Sequence, residues 1–175
     1  MKVHLQKSEK ASKAYPVNGK GISNIAEDAP APLYRAVSGV MFPMHTNKPQ
    51  SQMTAFEKIG LIRTGISKTD FEGFKQKAGL DYDQLAATLS VARATLINKK
   101  GTEKFNSTVS EKIVSLADIY SYGYEVFEDI ERFNKWIFRS NKALGGLTPF
   151  NLLDNQYGRE EVKDLIGRID YGVYS

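Results

Sequence analysis

The stretch Asp81–Lys100, DYDQLAATLSVARATLINKK, decides how the rest of the chain reads. Asp81 and Gln84 form a capping box, which opens a short helix with Leu85, Ala86 and Leu89 on one face. Ala86 is small enough to let a second helix cross closely. A tight turn at Ser90-Val91 follows, and the apolar Val91 plugs the core beneath it. A further helix over residues 93–99 runs into Lys99-Lys100 and stops at Gly101. This is the grammar of a helix-turn-helix, in which the second helix enters the major groove and its N-terminal residues meet base edges.

On that reading Arg93, Ala94, Ile97 and Asn98 face outward. Arginine can bond guanine in bidentate fashion and asparagine adenine, while alanine or isoleucine packs on a thymine methyl. Lys99, Lys100 and Lys104 suit phosphates, which set affinity and its salt dependence. Ala92 stands where this helix needs a cap, and alanine there costs roughly 1 kcal/mol relative to serine. Ser90 is the alternative cap. The expected DNA-binding set is therefore Ser90, Arg93, Ala94, Ile97, Asn98, Lys99, Lys100 and Lys104.

The flanking segments are helical too. Thr54 and Glu57 form another capping box, with Phe56, Ile59 and Ile62 at helical spacing and Gly65 as the stop. Ser67 caps a segment with Phe71 and Phe74, ended by Gly79. A longer helix is expected from about Val109 to Phe127, capped by Ser107. Its apolar positions Val109, Ile113, Leu116, Ala117, Tyr120, Tyr124 and Phe127 follow three-four spacing. Asp129 opens the next helix, with Ile130, Phe133, Trp136 and Ile137 inward. No stretch shows sustained two-residue alternation, so the body reads as all-α. Residues 1–50 read as a basic, flexible arm: scattered lysines, the helix-hostile Ala29-Pro-Ala-Pro, and a short apolar patch, Ala36–Phe42, able to add a strand or dock on the body.

Composition narrows the function. The 175 residues hold no cysteine, which removes disulfides, zinc–thiolate sites and cysteine nucleophiles. The opening MKVHLQKSEK lacks an apolar leader core, and no apolar run approaches the ~18 residues of a membrane span. A cytoplasmic protein is expected, with no membrane contact. Net charge is +4 overall, split as +4 over residues 1–50, +3 over 51–105 and −3 over 106–175, which suits a protein that meets a polyanion with one end. His4 and His45 have no carboxylate or thiol spacing around them, so no catalytic residue, metal site or cofactor is expected.

The last residues, NKALGGLTPFNLLDNQYGREEVKDLIGRIDYGVYS, read first as core. Leu144 ends the Trp136 helix and Gly145-Gly146 permit a turn. Pro149 suits the first turn of PFNLLDN, and Gly158 separates this from a helix with Val162, Leu165, Ile166 and Ile169 as its apolar stripe. Arg168, Tyr171, Tyr174 and Ser175 lie outside that stripe, and tyrosine and arginine are typical interface anchors.

The elements Trp136, Asn141, Ala143–Gly146, Pro149, Leu152-Leu153, Gly158, Val162, Leu165-Ile166, Arg168-Ile169, Tyr171-Gly172 and Tyr174-Ser175 resemble antitoxins of the Xre/MbcA/ParS group, partners of RES-domain toxins. The resemblance covers about the last 40 residues, and the Xre/Cro-like helix-turn-helix before them fits the two-part plan of that group, although its members usually carry serine at the position of Ala92. With it, the expected division is a DNA-binding domain over 51–128 and a toxin-binding domain over 129–175, after the basic arm over 1–50, which has no clear counterpart in the group. The resemblance also implies an antitoxin that obstructs the NAD-binding cleft of a RES-domain, NAD-consuming toxin. The contact would come from Arg168, Tyr171, Gly172, Val173, Tyr174 and Ser175, with the final carboxylate in or over the cleft. Promoter autorepression as a homodimer is the implied second activity. The alternative is a stand-alone repressor whose C-terminal half only dimerises.

Overall fold

The computed structural model describes residues 39–43 and 45–172. Among them are seven α-helices and no strand beyond an isolated bridge between Ser67 and Lys104. The helices are α1 (Ala55–Thr64), α2 (Lys68–Ala78), α3 (Tyr82–Thr88), α4 (Arg93–Ile97), α5 (Ser107–Phe127), α6 (Ile130–Trp136) and α7 (Gln156–Asp170). Short 3₁₀ turns sit at Gln50–Gln52, Lys142–Leu144 and Pro149–Leu152.

The helix starts follow local chemistry. The Thr54–Glu57 and Asp81–Gln84 boxes are both closed, and Ser67 accepts from the Asp70 amide. Gly79 ends α2 in the left-handed conformation. Helix α5 is capped one residue earlier than expected: the Asn106 side chain, not Ser107, accepts from the Val109 amide at 2.9 Å.

Helix α4 stops at Ile97, two residues short of the expected end, because its last carbonyls and amides find other partners. The Leu96 carbonyl accepts from Lys68 Nζ at 2.5 Å, and the Lys100 amide turns to Glu103 at 3.0 Å. The chain from Gly101 to Phe105 then pairs with the start of α2 through the Lys68 amide to Glu103 O and the Phe105 amide to Ile66 O, both 2.9 Å.

Two further expectations are corrected in the last third. Helix α6 ends at Trp136, so Leu144 lies in a separate 3₁₀ turn and is only half-buried. Gly158 does not separate elements; it lies inside α7, whose N-cap is Asn155. Glycine is required there because a Cβ would lie 1.9 Å from the Leu152 carbonyl oxygen.

Helix α5 is the axis of the fold. It packs against α1 and the Gln50–Gln52 turn, and also against α6 and α7. One continuous apolar core therefore runs from Val40 and Phe42 through Leu85, Leu96 and Ile113 to Val162 and Ile166. The segment from Gly39, assigned by the sequence to the arm, is part of this body: Val40 and Phe42 are fully buried, and Ser51 and the Val40 amide both bond the Ser121 hydroxyl. The rest of the expected arm lies outside the described residues. At the α5–α6 corner, the Phe133 ring is ringed by Tyr120, Tyr124, Phe127 and Trp136, with centroids 5.3, 5.4, 5.4 and 5.6 Å away. The first three pairs are edge-on and the fourth is tilted, and such aromatic pairs add about 0.5–1.5 kcal/mol each beyond the area they bury.

Candidate functional site

Two surfaces carry the residues singled out from the sequence. The first is the α3–turn–α4 unit. Leu85, Leu89 and Leu96 are fully buried beneath it, and Val91 packs at their edge. Arg93, Ala94 and Asn98 are exposed, and Ile97 is 41% exposed although isoleucine favours the core. Arg93 Nε lies 3.2 Å from Asp83 of α3, an exposed pair that yields easily to a stronger anion. Lys100 and Lys104 reach solvent, whereas half-buried Lys99 lies over the Phe105 ring, 5.8 Å from its centroid.

Neither expected cap serves α4. Ala92 occupies the cap position with no side-chain bond. Ser90 sits in the left-handed region at φ 49°, and its hydroxyl donates to the Asp154 carbonyl at 3.3 Å. The short helix is held from its other end instead. Lys68, almost buried, donates to the Leu96 carbonyl, to Tyr82 Oη at 2.8 Å and to Glu72 at 2.6 Å, and Tyr82 in turn bonds Glu72. Burial works against the charge on Lys68, but the Glu72 carboxylate and the Tyr82 hydroxyl outweigh it and hold its pKa above the ordinary value.

Two polar links hold α7 against the helices before it, and the first reaches this unit. Arg159 of α7 donates to the Leu153 carbonyl at 2.8 Å and to the Thr88 carbonyl at the end of α3 at 3.1 Å. Burial pulls its pKa down, with Asp154 pulling it up. Asp118 of α5 accepts from Lys58 of α1 at 2.5 Å and from Lys163 of α7 at 2.8 Å. Neither Lys68 nor Arg159 is marked by the sequence, because each matters through a carbonyl far away along the chain.

The second surface is at the far end of α7. Arg168 and Gly172 are exposed, and Tyr171 is 84% exposed. Val173, Tyr174 and Ser175 lie outside the described residues. Arg168 borders a hollow of about 340 Å³ between α6 and α7, walled by Phe127 and Trp136 and bordered by Arg132, Lys135 and Arg139. A signal for part of this group was available: positions 132, 135, 136 and 139 are spaced to share one helical face. Arg168 joins them only through the packing of α7.

No helix among the described residues is long and apolar enough to cross a membrane. The sequence pattern of the antitoxin Xre-like helix-turn-helix domain matches residues 57–118, spanning α1 to most of α5. That of the antitoxin Xre/MbcA/ParS C-terminal toxin-binding domain matches residues 123–172. An "Antitoxin Xre" of Yersinia enterocolitica serotype O:8 / biotype 1B is 30% identical over 119 residues, covering 67% of this chain and 80% of that one. A "Prs ADP-ribosylating antitoxin" of Sphingobium sp. (strain YBL2) is 24% identical over 152 residues, 81% of this chain and 95% of that one. A second "Antitoxin Xre", from Photorhabdus laumondii subsp. laumondii, is 32% identical over 76 residues, 43% of this chain and 51% of that one. With a helix-turn-helix unit, a toxin-binding end and relatives that are antitoxins, the chain belongs to the Xre/MbcA/ParS antitoxin family.

Proposed function

We propose that this antitoxin inhibits a RES-domain, NAD-consuming toxin by laying the end of α7 over its active-site cleft, and that it represses its own promoter as a homodimer. Arg168, Tyr171 and Gly172, continued by Val173, Tyr174 and Ser175, make the toxin contact. Residues 129–175 form the toxin-binding part and 51–128 the DNA-binding part. The carrying observation is that the matched toxin-binding segment ends on an arginine and a tyrosine that face solvent and do not pack into the core. Residues of these two types dominate binding energy at interfaces. The name of the Sphingobium relative couples an antitoxin with ADP-ribosylation, a reaction that takes NAD as donor, and so supports a toxin of that chemistry.

The DNA arm rests on Arg93, Ala94, Ile97 and Asn98 at base edges, with Ser90, Lys99, Lys100 and Lys104 on phosphates. A homodimer doubles these contacts and matches a two-fold operator.

Deletion of Gly172–Ser175 abolishes protection of cells that co-express the toxin encoded beside the gene, yet leaves promoter binding intact. Full protection by the truncated protein sinks the cleft-blocking reading. For the DNA arm, Arg93→Ala weakens binding to the protein's own promoter, and the affinity falls steeply with salt. A wild-type chain that gives no shift on that promoter at low salt refutes repression.

A further inference from the structure

The hollow between α6 and α7 has no role in the reading above beyond the one residue Arg168. Its apolar wall is Phe127 and Trp136, with ring centroids 5.0 Å apart. Arg132, Lys135, Arg139 and Arg168 surround it, and no Asp or Glu among the described residues lines it. Lys135 is shared with Glu131 at 3.5 Å in an exposed pair, and the Arg132 guanidinium lies 5.9 Å from the Phe127 centroid. Arg139 and Arg168 make no ion pair with any described residue.

Four cations round one hollow repel one another, and this occurs where residues 106–175 carry a net charge of −3. A site that served only the fold would place one of those nearby carboxylates among them. Glu131 reaches only Lys135, which leaves Arg139 and Arg168 without a carboxylate among the described residues, and guanidiniums bind carboxylates bidentately with a fixed geometry. The aromatic wall beside them gives an apolar seat next to the charge, the pairing that makes an anchor pocket.

We propose that this hollow receives an acidic segment of the toxin, with carboxylates on Arg139 and Arg168 and a neighbouring apolar side chain on Phe127 and Trp136. The inference rests on the toxin-binding reading and adds the chemistry of the partner. A toxin segment is favoured over a nucleic acid because every lining residue falls within the matched toxin-binding segment, and because Arg168 leads directly along α7 to Tyr171.

The test compares full-length wild type, Arg139→Glu/Arg168→Glu and Arg139→Lys/Arg168→Lys. Each is titrated with the toxin encoded beside the gene at two salt concentrations, with promoter binding and Tm measured alongside. Opposite charges at a close interface pair couple strongly, so each reversal is expected to weaken toxin binding about tenfold or more, while Tm and promoter binding hold. The lysine pair keeps the charge but not the bidentate fork, so its affinity falls between wild type and the reversed pair, and reversing an acidic toxin residue to lysine recovers part of the reversed pair's loss. Toxin binding by the reversed variant within about threefold of wild type, with wild type itself binding, overturns the hollow alone. A reversed variant that loses promoter DNA but keeps toxin makes the hollow a phosphate contact and also overturns it. Failure of wild type to bind the toxin overturns the antitoxin reading as well.

Discussion

Gly123 lies inside α5, toward its C-terminal end, where helix propensity alone says that alanine would be better by about 1 kcal/mol. The structure reverses the sign. A Cβ built on Gly123 falls 2.1 Å from Cε2, 2.4 Å from Cζ and 2.5 Å from Cδ2 of Phe133, against an optimum carbon separation of about 3.5–4.0 Å. The ring must retreat by more than an ångström, but four other aromatic rings surround it and Phe133 has no exposed surface. Overpacking of this kind costs about 1–3 kcal/mol. A ring with nowhere to go belongs at the upper end, which leaves a net loss of about 2 kcal/mol after the helix gain. For a chain of this size that is a Tm fall of roughly 4–8 °C. Urea and thermal denaturation of Gly123→Ala measure it, with Gly73→Ala as the control: Gly73 is helical, exposed and has nothing within 4 Å of its would-be Cβ. That control gains up to about 1 kcal/mol. Because Phe133 also backs Trp136, Gly123→Ala is expected to weaken toxin binding before promoter binding. The reasoning is refuted if Gly123→Ala is as stable as wild type while the control behaves as stated.

Arg159→Met removes both donors that span the Leu153 and Thr88 carbonyls, and is expected to cost roughly 2–3 kcal/mol in urea denaturation; a loss below about 0.5 kcal/mol would show that the link carries nothing. Ala92→Ser supplies the cap that α4 lacks and is expected to stabilise the protein by about 0.5–1 kcal/mol; an unchanged Tm contradicts the helix-end geometry. The Glu57 carboxyl is held down to about 2, chiefly by its hydrogen bond from Lys48 and then by the Thr54 amide. A depressed carboxylate stabilises the fold above its unfolded pKa, near 4.5, and that stability is lost as pH falls toward 2. Glu57→Gln is therefore expected to flatten the acid limb of a Tm-versus-pH profile over that window, and an unaltered profile removes Glu57 from the acid response.

What depends on residues three or four apart can be read from the chain alone. The Thr54, Ser67, Asp81 and Asp129 caps, the apolar stripe of α5 and the buried Leu85 and Leu89 of α3 are all local patterns, and the structure keeps them. The toxin-binding resemblance was legible for the same reason, because most of its residues are the small and apolar positions of short helices and turns. The rest follows from how the helices pack. Helix α4 ends at Ile97 where Lys68, 28 residues away along the chain, takes the Leu96 carbonyl. Gly158 stands inside α7 because the Leu152 backbone passes where a side chain would be. Gly123 answers to Phe133, and Arg168 meets Arg132 and Arg139 round one hollow only once α7 is laid beside α6. A local pattern records what a residue offers its neighbours in the chain, whereas these positions are fixed by excluded volume and by carbonyls brought close only when helices pack.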